Sequence, residues 1–559
     1  MSRMRGAESF SVINNLLTTL KIYDIFLYNI NAFAGGTEMK NIYKKILSVF
    51  LCVCMIFSAS AVGFAKEKAE PVNVTSAELD FDVPVVFITG LEGNYYKGLS
   101  TESEDDDVRI WGPQAGPIVE AVFKNLGGIL WNLFIKDYDA LASVLGNLVD
   151  PIFGDFVCDE KGIPNPDTGK KDTSDYELEE SNSYENCYSF IYDWRLDAVT
   201  IAAQLDEYIN YVMELTGSDK VALVSMSMGT AIMMTYLHEY YYAADNYSER
   251  NHIEAAVFIA GAMNGVGCCE DPFSGNINID SVSFMRFLSE VMKGNSGTEV
   301  IYYMLELLYE LGAVDCIVEF ADNLTQELFA HGFNESMTDS LATIPGFYTL
   351  MSNERYEETV DFIFNTPEKK AKYAEIIRKG DYYHDNVQAN GANIIHSLLD
   401  DGINTAIIAE YGYSFMPLTS DNDRMTDGTI ATDRESFGAT CSDVDGTLGE
   451  GYKQAEECIC GKNHVSADNQ IDASTCKFPD ITWFGKNLKH TCADNFVADL
   501  VNLIIYSDSQ ITVWDYAEYP QYLINLDGEK LVPLTAENAG EIFPYEETTV
   551  MGKFKAMIK

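Results

Sequence analysis

The extended segments of this chain are marked by runs of consecutive apolar residues rather than by strict alternation. Val83–Ile88, Val221-Ala-Leu-Val224, Ile253–Ala260 and Ile403–Tyr411 are short and predominantly apolar. Strands covered on both faces of a parallel sheet read this way. A further strand is predicted at Tyr188–Arg195. Amphipathic spacing predicts a helix from Asp197 to about Leu215, and Thr230–Tyr242, rich in Ala, Met, Leu and Tyr and free of Gly and Pro, predicts another. From Cys269 to about Asp401 the period becomes helical, through Phe284–Met292, Val300–Leu311, Ile317–Phe329 and Tyr373–Ile377. By contrast, Tyr95–Glu185 is polar and irregular apart from an apolar helix near Ile118–Leu133. A last strand, loop and helix end at about Ile505.

This order predicts an α/β protein with a mostly parallel sheet and two insertions. Residues 66–268 form the first half of the core, with a lid at about 95–185. Residues 269–401 form an inserted helical cap, 402–510 the second half of the core, and 511–559 a C-terminal tail. The 559 residues accommodate such a core with large insertions.

Composition sharpens the picture at the N-terminus. Lys40, Lys44 and Lys45 precede the apolar run Ile46–Phe57, and Ser58–Ala61 and Gly63–Ala65 offer small-residue cleavage sites. Residues 1–65 therefore read as a leader, with Met39 the expected start of a cleavable signal peptide and export its consequence. The apolar run is too short for a committed span. The formal net charge is −49, and residues 1–65 carry +3, which leaves −52 on the remainder. A surface of that sign repels nucleic acid and anionic membrane, so no nucleic-acid partner and at most transient membrane contact are expected. Ten of the 12 cysteines follow the leader, an even number that favours disulfides in an exported chain.

The chemistry centres on Ser225-Met-Ser-Met-Gly229, between the Val221 strand and the helix that follows. It is close to the G-x-S-x-G nucleophile elbow, in which strand and helix nearly touch and small residues flank the serine. Gly229 satisfies one flank, and Ser225 stands in place of the usual first Gly. Serine acyl transfer needs a base and an orienting carboxylate, which the α/β-hydrolase fold supplies in the order Ser, Asp, His. His490, after Trp483-Phe-Gly485, is the expected base, with His464 the runner-up. Asp427, soon after the Ile403 strand, is the expected acid, with Asp423 and Asp433 competing neighbours. The strand at Val83 runs into Gly90-Leu-Glu-Gly-Asn94, where this fold builds half of its oxyanion hole.

Four stretches resemble the lecithin:cholesterol acyltransferase family and the related phospholipid:diacylglycerol acyltransferases. They are Gly90–Asn94, Tyr192-Asp-Trp-Arg195, the serine elbow, and Asp427-Gly-Thr-Ile-Ala-Thr432. The resemblance implies Ser227 as nucleophile, Asp427 as acid and His490 as base. It implies an oxyanion hole from the backbone N–H groups of Met228 and of the Leu91/Glu92 turn, and a disulfide between Cys158 and Cys187. It calls for no cofactor and no metal. Asp193 and Arg195 read as a buried ion pair bracing the sheet edge rather than as catalytic groups. The expected function is that of a secreted serine hydrolase or O-acyltransferase acting on lipid esters. A small-ester esterase and a catalytically silent hydrolase fold used for binding are the alternatives.

Overall fold

The computed structural model describes residues 83–540, apart from 92–94, 99–107, 112–124, 126–127, 130, 134, 147–153, 171–185, 244–250, 293–298, 416, 418, 457–460, 491–492 and 527–529. The leader and Glu92 lie outside the described residues. So do Cys458, Cys460 and Cys492, and most of the helix predicted near Ile118–Leu133.

The apolar runs become neighbouring strands. β1 (Val85–Ile88) begins the chain's main sheet. β2 (Tyr95–Lys97), β3 (Val108–Arg109) and β4 (Thr168–Lys170) form a separate small sheet in the order β3-β2-β4. β5 (Cys187–Phe190), β6 (Val221–Met226), β7 (Ile253–Ile259) and β8 (Asn404–Tyr411) return to the main sheet. β9 (Thr440–Cys441) and β10 (Ile471–Asp472) pair with each other. β11 (Thr482–Lys486), β12 (Tyr522–Asn525) and β13 (Leu531–Pro533) complete the main sheet. Its eight strands run β13-β12-β11-β8-β7-β6-β1-β5, all parallel except β13. This is an α/β fold in which β6, the strand before the elbow, lies well inside the sheet. The Ile-Val-Ala-rich composition of β6, β7 and β8 follows from burial on both faces.

Helices cover those faces. α1 (Ala198–Thr216) is capped by Asp197, whose carboxylate accepts from Thr200 N–H at 3.1 Å, and ends on Gly217 in the left-handed region at φ 68°. It buries Ile201, Leu205, Ile209 and Val212, one face at helical spacing. Each such side chain contributes about 1.5–3 kcal/mol on transfer from water. α2 (Met228–Tyr236) is buried throughout, which explains its lack of a polar face. α3 (Gly267–Ser274) follows β7, α4 (Thr432–Glu435) lies in the loop after β8, and α5 (Ala493–Ile505) follows β11.

Two readings of the sequence change at this level. The stretch 511–559 is not only a tail, because β12 and β13 within it extend the sheet. Runs as short as Tyr-Leu-Ile-Asn carry too little periodicity to be distinguished by pattern. Nor do the helical residues 269–401 pack as one body. Contacts divide the chain into two compact units, with Ile279–Leu324 in one and Phe64–Asn278 plus Thr325–Pro544 in the other. In the first unit, helices Ser281–Met292 and Glu299–Glu310 pack together, and Ile279 N–H donates to Asp322 at 2.9 Å. Leu307, Leu308 and Leu311 are exposed on that unit. The later helices belong to the second unit: Tyr348, Ile363, Ile376 and Ile395 are buried in the same core as β1 and β6.

At the other edge, the Tyr192–Arg195 stretch locks the small sheet in place. Arg195 is fully buried, and all five of its N–H donors find acceptors. Nε and one Nη donate to Asp193 at 3.0 and 2.7 Å, and the remaining N–H groups reach Phe156 O, Thr168 Oγ1 and Thr168 O. Its guanidinium also lies 4.8 Å from the Tyr95 ring centre. The ion pair expected here is thus a brace between β4 and the loop after β5. The Cys158–Cys187 bridge implied by the resemblance is not formed. Cys158 is a buried thiol whose N–H donates to Thr343 Oγ1 at 3.0 Å, and burial pushes the thiol up to about 12.

Candidate active site

The site begins with a strained turn. Ser227, between β6 and α2, has φ 55° and ψ −127°, outside the regions open to most residues. The surroundings hold it there. Its N–H donates to Ile259 O at 3.1 Å, and its carbonyl accepts from Thr230 N–H, Thr230 Oγ1–H and Ala262 N–H at 3.1, 2.6 and 3.1 Å. The sharp turn lifts the hydroxyl off the end of the strand.

The flanking small residues are dictated by contact. A Cβ on Gly229 would stand 2.2 Å from Ile88 O and 2.5 Å from Thr89 O, because β1 crosses the first turn of α2. One on Gly90 would stand 2.8 Å from Ser227 Cβ. Ser225, where a Gly is usual, is fully buried and donates to Val257 O of β7 at 3.3 Å. A side chain of that size fits because its hydroxyl finds a partner on the neighbouring strand.

His490 and Asp427 meet Ser227 from loops after β11 and β8. Nδ1 of His490 donates to Asp427 Oδ2 at 2.5 Å, and Nε2 lies 2.8 Å from Ser227 Oγ. A carboxylate on one side makes Nδ1 the protonated nitrogen, so Nε2 accepts from the serine hydroxyl. The other Asp427 oxygen accepts from Thr429 N–H and Ile430 N–H, each at 2.7 Å, so the carboxylate sits in its own tight turn. A backbone bond from His490 N–H to Asp427 O, at 3.2 Å, ties the two loops together. Asp427 is fully buried at its side chain, whereas His490 retains 12% exposure, so the relay runs from the interior to an accessible end.

The competing residues have other partners. Asp433 pairs with Arg424 at 2.5 Å, and the Asp423 carbonyl holds the turn at Val444. His464 is fully buried, with Nδ1 2.7 Å from Gln521. His384 is also buried. Its Nε2 donates to Tyr348 O at 2.9 Å, and desolvation pulls its pKa down to about 4. Met228, the first residue of α2, presents an N–H with no intrahelical acceptor, as an oxyanion donor requires. Leu91 stands partly buried after β1.

Sequence reasoning did not single out Glu435. It is fully buried in α4, and its Oε2 accepts from Glu410 N–H at 2.7 Å. A glutamate in a short polar loop carries no periodic signal, and only the folded loop brings it beside Asp427.

No family model matches the chain, and no curated protein matches it. Among solved structures, the crystal structure of the Tle4–Tli4 complex aligns over 77% of this chain and 99% of that one, at 13% identity and a TM-score of 0.28.

Proposed function

We propose that the protein is a serine acyl-ester hydrolase or O-acyltransferase working through an acyl-Ser227 intermediate. The observation that carries this reading is the unbroken Ser227–His490–Asp427 relay at a strained elbow. In it, Nε2 of His490 takes the proton as Ser227 Oγ attacks the ester carbonyl, and returns it to the departing alkoxide. Asp427 keeps the imidazole in the tautomer that leaves Nε2 free to accept, and stabilises the imidazolium. Met228 N–H, with an N–H from the loop after Gly90, stabilises the oxyanion of the tetrahedral intermediate. Water or an alcohol then takes the acyl group by the same steps in reverse.

Lipid esters are the substrate class we favour. The four stretches that resemble the lecithin:cholesterol acyltransferases support it, as do the exposed Leu307, Leu308 and Leu311. Export supported by the Met39–Ala65 leader is part of the same reading, and N-terminal sequencing of the secreted protein should begin near Val62 or Lys66.

A fluorophosphonate should label the parent chain at Ser227 and leave Ser227→Ala unlabelled, whereas a binding protein on a silent fold would stay unlabelled throughout. Across p-nitrophenyl esters, kcat/KM should rise steeply from acetate to long chains, by up to about 0.8 kcal/mol of transition-state binding per buried CH₂. A flat or falling profile would make the protein a small-ester esterase.

A further inference from the structure

Behind the relay, three acidic side chains meet in a space closed to water. Asp427, Glu410 on β8 and Glu435 on α4 are all at least 99% buried. The Glu435 carboxyl comes within hydrogen-bond reach of the Asp427 carboxylate and feels the Glu410 charge as well. Of its two oxygens, Oε2 accepts from Glu410 N–H, and Oε1 meets no donor among the described residues. Two carboxylates cannot face each other in such surroundings while both are ionised, so one must carry a proton.

The hydrogen bonds decide which one. Asp427 already accepts from Thr429 N–H, Ile430 N–H and His490 Nδ1, three donors that favour its anion. Glu435 accepts from one amide only. Cations that could neutralise it are engaged elsewhere: Arg434 with Glu270, and Arg424 with Asp433. Beyond Glu410 and Asp427, the half-buried Cys441 on β9 is a further titratable group within its electrostatic reach. Burial and these two neighbouring carboxylates push the Glu435 carboxyl far above the usual carboxylate range.

We propose that Glu435 is a positioning residue held protonated, whose Oε1–H donates to Asp427 and fixes that carboxylate in the orientation in which it accepts from His490. This rests on the acyl-transfer reading above and adds a fourth member to the relay. The α4 segment is built to present it. Thr432 Oγ1 donates to Glu410 O at 2.8 Å, and Glu410 N–H returns a bond to Glu435 Oε2, so helix and strand are clasped at both backbone groups of one residue. The proton on Glu435 takes no part in the chemistry. It supplies the one donor that the carboxylate pair lacks.

The test compares Glu435→Ala and Glu435→Gln with the parent chain. Glutamine has the shape of a protonated glutamate, and its N–H₂ can donate to Asp427 while its oxygen accepts from Glu410. In Glu435→Ala, kcat/KM on a p-nitrophenyl ester should fall about tenfold, the effect of losing one hydrogen bond to a charged group. The acid limb of its pH profile should move upward, because a less supported Asp427 anion raises the basicity of His490. Glu435→Gln should rescue both readouts. If Glu435→Gln instead moves the acid limb downward by about half a unit or more, a negative charge has been removed and the residue was ionised. If both variants behave alike, the hydrogen bond does not position the relay. Either result overturns the proposal.

Thermal unfolding provides an arm independent of turnover. A carboxyl with a raised folded pKa loses stability as pH climbs above its unfolded value near 4.3. The Tm advantage of Glu435→Gln over the parent should therefore widen between about pH 5.5 and about pH 8. A constant or reversed gap would sink the protonated state. If the parent shows no turnover that depends on Ser227, the acyl-transfer reading fails while the unfolding arm still judges Glu435.

Discussion

Two buried polar clusters flank the elbow strand, and they end differently. The Arg195 cluster is closed: every guanidinium donor has an acceptor, and Asp193, with 21% of its side chain exposed, is its most exposed member. The Ser227 cluster is open. It runs from Asp427 through His490 to a hydroxyl whose proton has somewhere to go. A saturated network can only hold parts together, because any movement costs a bond. A chain of bonds that ends at an accessible nucleophile can pass a proton without breaking its own framework. That contrast separates the brace from the proposed reaction centre, although both contain a buried carboxylate and a basic partner.

The comparison breaks most sharply at the relay. Ser227→Ala, His490→Ala and Asp427→Asn should each lower turnover by about 10⁴-fold or more, with little change in unfolding temperature. Combining two of them should cost little beyond the worse single change, since the three act as a unit. Steady-state kinetics alongside thermal melts would check this, and a large fall in Tm would mean the relay is also structural.

Arg195→Ala should do the converse. It leaves Asp193 without its cation and strands the Phe156 and Thr168 carbonyls, at a cost of about 3–5 kcal/mol in denaturant unfolding. Molecules that remain folded should still react with a fluorophosphonate. If stability is unaffected while labelling disappears, the brace has been misread.

A third prediction concerns pH. His384 is neutral in the fold, with a pKa pulled down to about 4 by burial, so the unfolded chain binds a proton that the folded one refuses. Its contribution is fully present above the unfolded value near 6.5 and is lost as pH falls toward 4, by about 3 kcal/mol in all. His384→Gln should flatten that part of the stability-versus-pH curve, and identical slopes would show that His384 is not buried neutral.

The smallest effect sharpens the identity of the acid. Asp433 and Arg424 form a pair about a third exposed, worth about 0–1 kcal/mol, so Asp433→Asn should leave turnover within about twofold. Loss of activity there, with Asp427→Asn still active, would move the acid to Asp433.

Much of this was legible before folding. The uninterrupted apolar runs mark strands buried on both faces, and β1, β6, β7 and β8 all lie inside the sheet. Ser227 and Gly229 are legible because an elbow demands small residues wherever strand and helix touch. His490 follows from order along the chain, which also confines the acid to the loop after β8 without choosing among its aspartates. Less legible were β12 and β13, too short to show a period, and the division of the helical stretch at Ile279 and Leu324. Amphipathic helices advertise that they pack, but not against what.

What the sequence determined by itself is local. Apolar runs, an elbow, a helix cap at Asp197 and a stop at Gly217 are properties of neighbours along the chain. Tertiary structure alone chose Asp427 over Asp423 and Asp433, saturated Arg195, and set Glu435 against Asp427. The reason is physical. A carboxylate in a polar loop has the same composition wherever it ends up, and its role depends on which donors, charges and water the fold places around it.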